Sequence, residues 1–313
     1  MIYKSNFKNM NSITLENDLL KVIIIPDLGG KLVSIYNKSS NFELLFQNKE
    51  DSYKKPELNS DFGSFDASGF DDAFPTIDIS KINYQGQEIL YPDHGEIWSS
   101  PFDYRFIDDY LELTFSSRIL PYNYKKVIHL EEDTVKIKYT IANKGTSPFP
   151  CIWAMHCLVN CSEDMEIYFP KDTTEIINVH DSTVLGKKNS IHSYPVTKDI
   201  NGKDYNLNRV GSKDLNKTEK YYINGIVNEG ECSIYYPENS SLFMINFDKN
   251  KLPYVGFWVT EGGFRGDYNC ALEPTNSFYD DIDTAFNNNK LYYLTPKEPL
   301  QFEISLALRK VEK

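Results

Sequence analysis

One carboxylate of this 313-residue chain, Glu273, stands where the backbone is constrained. It ends the apolar run Cys270-Ala-Leu and directly precedes Pro274. Because a residue before proline is biased to extended backbone, we expect Glu273 to lie on a stiff strand end. Phe257 and Trp258 lie upstream and offer flat apolar surface. A carboxylate beside such surface has a raised pKa, which suits a general base that works near neutral pH.

Two of the five histidines have neighbours that suit chemistry. His94 lies between a Tyr-Pro-Asp run and Gly-Glu-Ile-Trp, so it is either a turn residue or a hydrogen-bonding partner for a polyol. His156 lies in the apolar run 149–159, either as a core residue or as a strand residue that projects into a cleft. In a cleft, its ordinary pKa of about 6.5 would allow proton transfer near neutrality. The other three are interpreted as structural or surface residues: His129, His180 and His192.

Other kinds of catalytic site find little support in the sequence. The thiols nearest to His156 do not have the spacing of zinc ligands and lie in apolar surroundings, so we expect core thiols and no metal or other cofactor. They are Cys151, Cys157 and Cys161. There is no Gly-x-Ser-x-Gly segment for a serine hydrolase and no glycine-rich phosphate loop.

Two adjacent acidic residues, Asp71 and Asp72, admit two interpretations. They are either part of a solvated turn or the partner of Glu273 in a two-carboxylate glycosidase site. The distance between the carboxylates would decide, and spacing along the sequence does not supply it.

The charge and composition exclude several classes of partner. The net charge is −12 and the isoelectric point is near 5.0, so neither nucleic acid nor an anionic membrane is expected to bind. The five cysteines form no Cys-x-x-Cys pair, and the N-terminus lacks the apolar segment of a signal peptide, which together predict a cytoplasmic protein. No apolar run is long enough to span a membrane.

Strand patterns recur along the whole chain. Residues 20–25 form an apolar run that ends at a proline, and residues 31–36 and 135–142 alternate between polar and apolar side chains. Similar segments occur at 111–117, 232–236, 242–247, 256–260 and 302–308. Helical periodicity is scarce, with one short helix or loop expected after Asn276. This pattern predicts an all-β sandwich or barrel, organised as a single domain over residues 1–313.

Three stretches are too irregular to be strands: residues 47–75, 180–220 and 261–290. Long connections in a compact β domain are usually functional or disordered. The third of them contains Glu273.

Four segments in order resemble the aldose 1-epimerase (galactose mutarotase-like) family. Gly69-Phe-Asp-Asp-Ala-Phe-Pro-Thr is similar to its early Gly-x-x-x-x-Phe-Pro segment, and His94-Gly-Glu-Ile-Trp to its His-Gly segment. Trp153-Ala-Met-His resembles the strand that carries the catalytic histidine, and Leu272-Glu-Pro resembles the segment with the catalytic glutamate. The resemblance implies a large antiparallel β-supersandwich, in agreement with the strand pattern.

The resemblance also implies a division of labour in a cofactor-independent isomerase that interconverts the anomers of a pyranose. Glu273 is expected to act as the base and His156 as the acid during ring opening and reclosure. His94 and Asp72 are expected to bind the sugar, and Trp258 or Phe257 to stack on its C–H face.

The sequence departs from this family at two places. The family's sugar-binding aspartate between the catalytic histidine and glutamate is replaced by a segment in which Lys220 is expected to take its place. The family's early Asn-Arg element is not visible near Asp71. A carbohydrate-binding domain without activity and a glycoside hydrolase or lyase therefore stay open as alternatives. The expected partner is a small sugar, bound to a monomer or homodimer.

Overall fold

The computed structural model describes residues 1–311, and almost all of its regular structure is β-strand. The first fifteen strands are β1 (Ile2–Phe7), β2 (Met10–Glu16), β3 (Leu20–Ile25), β4 (Lys31–Asn37), β5 (Phe42–Glu43), β6 (Phe70–Ala73), β7 (Ser80–Tyr84), β8 (Gln87–Tyr91), β9 (Asp103–Ile107), β10 (Tyr110–Ser116), β11 (Tyr122–Glu131), β12 (Thr134–Asn143), β13 (Phe149–Cys151), β14 (Ala154–Cys157) and β15 (Val159–Asn160). The remaining strands are β16 (Glu166–Tyr168), β17 (Glu175–Asn178), β18 (Ile191–Ser193), β19 (Val196–Lys198), β20 (Asp204–Asn206), β21 (Lys217–Ile223), β22 (Glu231–Tyr236), β23 (Ser241–Phe247), β24 (Tyr254–Glu261), β25 (Tyr268–Thr275), β26 (Tyr292–Leu294) and β27 (Leu300–Lys310).

Helical structure is limited to short pieces between strands. They are α1 (Phe62–Phe65), α2 (Ile282–Asn287) and a single 3-10 turn at Lys213–Leu215. The helix α2 falls in the segment where the sequence predicts a short helix or loop. No helix within residues 1–311 has the length and apolar character that crossing a membrane requires.

Two large antiparallel sheets form the body of the protein. The larger has thirteen strands, and its main path runs β1-β2-β3-β4-β6-β14-β25-β24-β21-β17-β18. The smaller has eight strands in the order β16-β22-β23-β27-β12-β11-β10-β9. This is the antiparallel β-supersandwich that the family resemblance implies, and the strands predicted at residues 20–25, 31–36 and 135–142 are confirmed as β3, β4 and β12.

The alternation of side chains along each strand explains where the core forms. In β12, Val135, Ile137, Tyr139 and Ile141 are all buried, whereas the residues between them are more exposed. Successive side chains of a strand point to opposite faces of the sheet, so one face of β12 meets the larger sheet. Tyr139 there packs edge-on against Trp153 of the chain that leads into β14, with ring centroids 5.1 Å apart.

Candidate functional site

A cavity of about 360 Å³ opens on the larger sheet, on the face that points away from the smaller sheet. Strands β14, β25, β24 and β21 lie side by side there and form its floor. The segments before and after β6, after β8, after β17, and before and after β25 form its walls. The residues that line the cavity are Asp61, Phe62, Gly63, Ala67, Ile77, Asp78, Asp93, His94, His156, Leu158, Val179, His180, Lys220, Trp258, Phe264, Asn269, Glu273 and Asp280.

The register of the sheet places His156 opposite Glu273. Ala154 pairs with Thr275 on one side of this position, and Val159 pairs with Cys270 on the other, with the same offset. Residues that oppose each other on antiparallel strands have Cβ atoms roughly 5 Å apart and point to the same face. Two residues 117 positions apart in the sequence are therefore neighbours on the cavity floor.

His156 points into the cavity and not into the core. Its strand neighbours Met155 and Cys157 are buried in the main core, whereas His156 is only half-buried and lines the cavity. Its Nδ1 atom is buried and has no hydrogen-bond partner among the described residues. Burial, followed by the positive charges of His94 and Lys220, lowers the pKa of His156 well below its ordinary value. Burial therefore favours the neutral form of the imidazole at pH 7.

Glu273 is almost completely buried, with 1% of its surface exposed. Its Oε2 atom makes no hydrogen bond within residues 1–311, and the nearest cation, Lys220 Nζ, is 3.5 Å away. Burial raises the pKa of Glu273, and the charge of Lys220 opposes that shift only in part. Gly256, the cross-strand partner of Glu273, leaves room for it: a Cβ atom there would lie 3.1 Å from Oε2 and 3.1 Å from Tyr222 Cζ.

Lys220 joins Glu273 to a second carboxylate, Asp280. Lys220 Nζ lies 2.8 Å from Asp280 Oδ2, and the hydroxyl of Tyr222 donates a 2.6 Å hydrogen bond to Asp280 Oδ1. Although burial by itself lowers the pKa of Lys220, the charges of Asp280 and Glu273 outweigh it and raise that pKa above its ordinary value. Lys220 is therefore a permanent cation at the edge of the cavity floor.

His94 forms the opposite wall together with Asp93 and Phe62. Its Nδ1 atom lies 2.7 Å from Asp93 Oδ1, and its ring stacks on Phe62 with centroids 4.1 Å apart. Its ring also meets that of His156 edge-on at 4.9 Å. The other carboxylate oxygen of Asp93 accepts a 2.8 Å hydrogen bond from the backbone N–H of Phe62. Burial alone would raise the pKa of Asp93, but the hydrogen bond and charge of His94 outweigh it and lower that pKa.

The two aromatic residues of β24 that the sequence analysis grouped together lie on opposite faces of the sheet. Trp258 lines the cavity and packs edge-on against Phe264 at 5.6 Å. Phe257 does not line it: the ring is 1% exposed and packs in the core against Tyr221, at 5.4 Å. The expectation that Phe257 stacks on a sugar is therefore wrong, because adjacent strand residues point to opposite faces.

Asp72 also lies outside the cavity. It is 1% exposed and faces the smaller sheet, where Oδ2 lies 2.8 Å from Lys126 Nζ and Oδ1 accepts a 2.9 Å hydrogen bond from the hydroxyl of Tyr139. The expectation that Asp72 binds sugar hydroxyls is wrong for the same reason of strand alternation. Its neighbour Asp71 is likewise occupied, at 2.6 Å from the buried Lys31.

Several cavity residues are not predicted from the sequence as site residues, among them Phe62, Asp78, His180 and Asp280. His180 had been assigned to the structural or surface histidines, and the cavity position corrects that assignment. The available signal was the irregularity of three stretches, since residues 47–75, 180–220 and 261–290 supply Phe62, His180 and Asp280 respectively. Within residues 1–311, no group of three or more His, Cys, Asp or Glu side chains is arranged to hold a metal ion.

Comparisons with known proteins agree with this architecture. Residues 2–264 match a family described as a domain of unknown function (DUF5107). No curated protein matches the chain.

Several solved structures share the fold. Slr1438 protein from Synechocystis sp. PCC 6803 has a TM-score of 0.73 and 16% identity, over 98% of this chain and 99% of that one. A galactose mutarotase-like protein from Lactobacillus casei ATCC 334 has a TM-score of 0.70 and 15% identity, over 95% of this chain and 100% of that one. A galactose mutarotase related enzyme from Lactobacillus acidophilus has a TM-score of 0.69 and 16% identity, over 96% and 99%. At such identities the likeness shows a galactose mutarotase-like fold and nothing finer.

Proposed function

The chain belongs to the DUF5107 family and has a galactose mutarotase-like fold, and from this premise we propose that it is an aldose 1-epimerase-type isomerase. The observation that carries the proposal is the pairing of His156 with Glu273 across neighbouring strands on the floor of one cavity. One side chain is an imidazole and the other a carboxyl, and each has a buried atom without a hydrogen-bond partner in the described residues. Buried polar atoms of this kind are available to a ligand.

In the proposed reaction, Glu273 takes the proton from the anomeric hydroxyl of a pyranose while His156 protonates the ring oxygen. The bond between C1 and the ring oxygen breaks, and the open-chain aldehyde rotates about C1–C2. Reclosure on the other face of the aldehyde then gives the opposite anomer, with both proton transfers reversed. No atom is gained or lost, so no cofactor is required.

The directions of the two pKa shifts indicate which protonation state of the His156–Glu273 pair is active. Burial disfavours charge on both groups, since it raises the pKa of Glu273 and lowers that of His156. Burial therefore shifts the balance toward a protonated carboxyl beside a neutral imidazole, which is the arrangement that reclosure of the ring uses. Ring opening uses the other arrangement, a carboxylate beside an imidazolium. Both arrangements contain one proton more than a carboxylate beside a neutral imidazole, so the active state is the pair that holds this single titratable proton.

The surrounding side chains are suited to hold a sugar against these two groups. His94 and the Lys220–Asp280 pair offer donors and acceptors on opposite walls. The half-buried indole of Trp258 offers a flat apolar face for the C–H side of a pyranose. Holding the ring in one orientation against the acid and the base supplies a large part of such a rate enhancement.

The test is the rate at which freshly dissolved α-glucose and α-galactose equilibrate, followed by polarimetry. The wild type is expected to accelerate equilibration, and Glu273→Gln and His156→Asn are expected to lose most of that acceleration. Asp109→Asn, an exposed substitution in the turn between β9 and β10, is the matched control. A sugar that binds in calorimetry without faster equilibration would identify a carbohydrate-binding domain. Release of reducing ends from an oligosaccharide would identify a hydrolase.

A further inference from the structure

The charged side chains around the cavity are unevenly divided between the two signs. Five carboxylates line it, and only one Lys or Arg side chain among the lining residues does so, that of Lys220. The five carboxylates belong to Asp61, Asp78, Asp93, Glu273 and Asp280. A cavity lined by charges of one sign focuses its field on the ligand, so this imbalance acts on any charged substituent of a sugar.

Lys220 does not reverse the imbalance. Its ammonium already lies 2.8 Å from Asp280 Oδ2 and 3.5 Å from Glu273 Oε2, so two carboxylates compensate its charge. An anionic group brought to Lys220 would have to approach both carboxylates as well. At such short distances, the repulsion between the anionic group and the two carboxylates exceeds its attraction to the single ammonium.

Asp78 differs from the other four acidic residues because its carboxylate neither forms an ion pair nor accepts a hydrogen bond within residues 1–311, and its side chain is partly exposed. Asp61 is also exposed and outside any ion pair, but its Oδ1 atom accepts a 2.7 Å hydrogen bond from the backbone N–H of Ser64. Its backbone N–H donates a 2.8 Å hydrogen bond to the carbonyl oxygen of Asp280, which fixes the two acidic residues side by side. The cavity walls cover part of this side chain, and that partial burial, followed by the charge of Asp280, raises the pKa of Asp78. An approaching cation would relieve this repulsion.

We propose that the cavity selects an amino sugar in its protonated form and rejects sugars that carry phosphate or carboxylate, with Asp78 as the specificity-determining residue. The inference rests on the proposed function, because the unpartnered Oε2 atom of Glu273 marks where the anomeric carbon would lie. The ammonium of the sugar then pairs with Asp78, the carboxylate that the protein itself leaves free.

The test measures binding and turnover separately. Calorimetry and polarimetry at about pH 6, where a sugar amine is protonated, would compare glucosamine, N-acetylglucosamine, glucose and glucose 6-phosphate. We expect glucosamine to bind about fivefold more tightly than the two neutral sugars, and glucose 6-phosphate to bind at least about fivefold more weakly than glucose. Asp78→Asn is expected to reduce the ratio of glucosamine affinity to glucose affinity from about fivefold to about twofold or less.

The control is again Asp109→Asn, which removes an exposed carboxylate in the turn after β9, the edge strand of the smaller sheet. This variant should leave the ratios of affinity between the sugars unchanged. If glucose is turned over but glucosamine has no advantage, or if Asp78→Asn leaves the advantage intact, the selectivity proposal is overturned and the isomerase proposal stands. If no sugar in the panel binds or equilibrates faster, both proposals fall together.

Discussion

Two lysine–carboxylate pairs lie on opposite faces of the same large sheet and differ in one respect. On the core face, Asp72 has both oxygens occupied, by Lys126 at 2.8 Å and by the hydroxyl of Tyr139 at 2.9 Å. On the cavity face, Glu273 is buried to the same degree, yet its Oε2 atom has no hydrogen bond and Lys220 stays 3.5 Å away.

The difference separates a structural pair from a pair that is available to a ligand. Removing a charge from water costs several kcal/mol, and a buried pair recovers that cost only when its hydrogen bonds are complete. The core pair with Asp72 meets this condition. Glu273 does not meet it, because none of the described side chains donates a hydrogen bond to its Oε2 atom. A ligand that donates a hydrogen bond to this atom would therefore gain binding free energy.

The largest effect is expected from Glu273→Gln. Loss of the proposed base should reduce the acceleration of anomer equilibration by about a thousandfold. The free energy of unfolding of the variant should be unchanged or higher at neutral pH. Because the pKa of Glu273 is raised in the folded state, its ionisation destabilises the folded protein as the pH rises through that pKa, and glutamine does not ionise. Polarimetry and denaturant unfolding would measure the two quantities. A marked loss of stability with activity retained would place Glu273 in the same structural class as Asp72.

The corresponding substitution on the core face is Asp72→Asn, for which we expect the free energy of unfolding to fall by about 3 kcal/mol or more. The substitution leaves Lys126 buried at 2% exposure without its counterion. Activity per folded molecule should be unchanged, since Asp72 does not reach the cavity. Urea unfolding followed by tyrosine and tryptophan fluorescence is the measurement. A loss of sugar affinity in the folded Asp72→Asn protein would contradict the distinction between the faces.

A smaller contrast is expected from the adjacent residues Phe257 and Trp258. Phe257→Leu should lower the free energy of unfolding by about 1 to 2 kcal/mol because it removes ring volume from the core, without a change in KM. Trp258→Leu should leave stability nearly unchanged and raise KM about fivefold, by loss of the stacking surface. Each variant controls for the other, and equal effects on KM would show that strand alternation does not separate the two roles.

The smallest effect is a shift in pH dependence. Activity should follow a bell-shaped profile, because the His156–Glu273 pair is active with one proton and inactive with two or none. The charge of Lys220 lowers the pKa of both groups, so Lys220→Met should move both limbs of the profile to higher pH. Lys188→Met, an exposed lysine, should not move them. A profile that shifts to lower pH in Lys220→Met would show that the cation acts in some other way.

Part of this site could be predicted from residue types and local order. Glu273 before a proline at the end of an apolar run indicates a rigid carboxylate, and His156 within an apolar strand admits a position facing a cleft. Both side chains do line the cavity. The errors at Asp72 and Phe257 arose because these strands are covered on both faces, so apolar residues on either side conceal which face a given residue takes.

By itself, the sequence determined the class of fold, because the two-residue alternation in segments such as 135–142 is a local property that a strand converts directly into a buried face. The four ordered segments also determined which fold family to expect. Only the tertiary structure decided which residues meet. The position of His156 opposite Glu273 depends on sheet register across more than a hundred residues. The neighbouring Asp78 and Asp280 come from loops in the first and last thirds of the chain. Long-range pairing of this kind follows from the packing of the whole chain and leaves no local pattern to read.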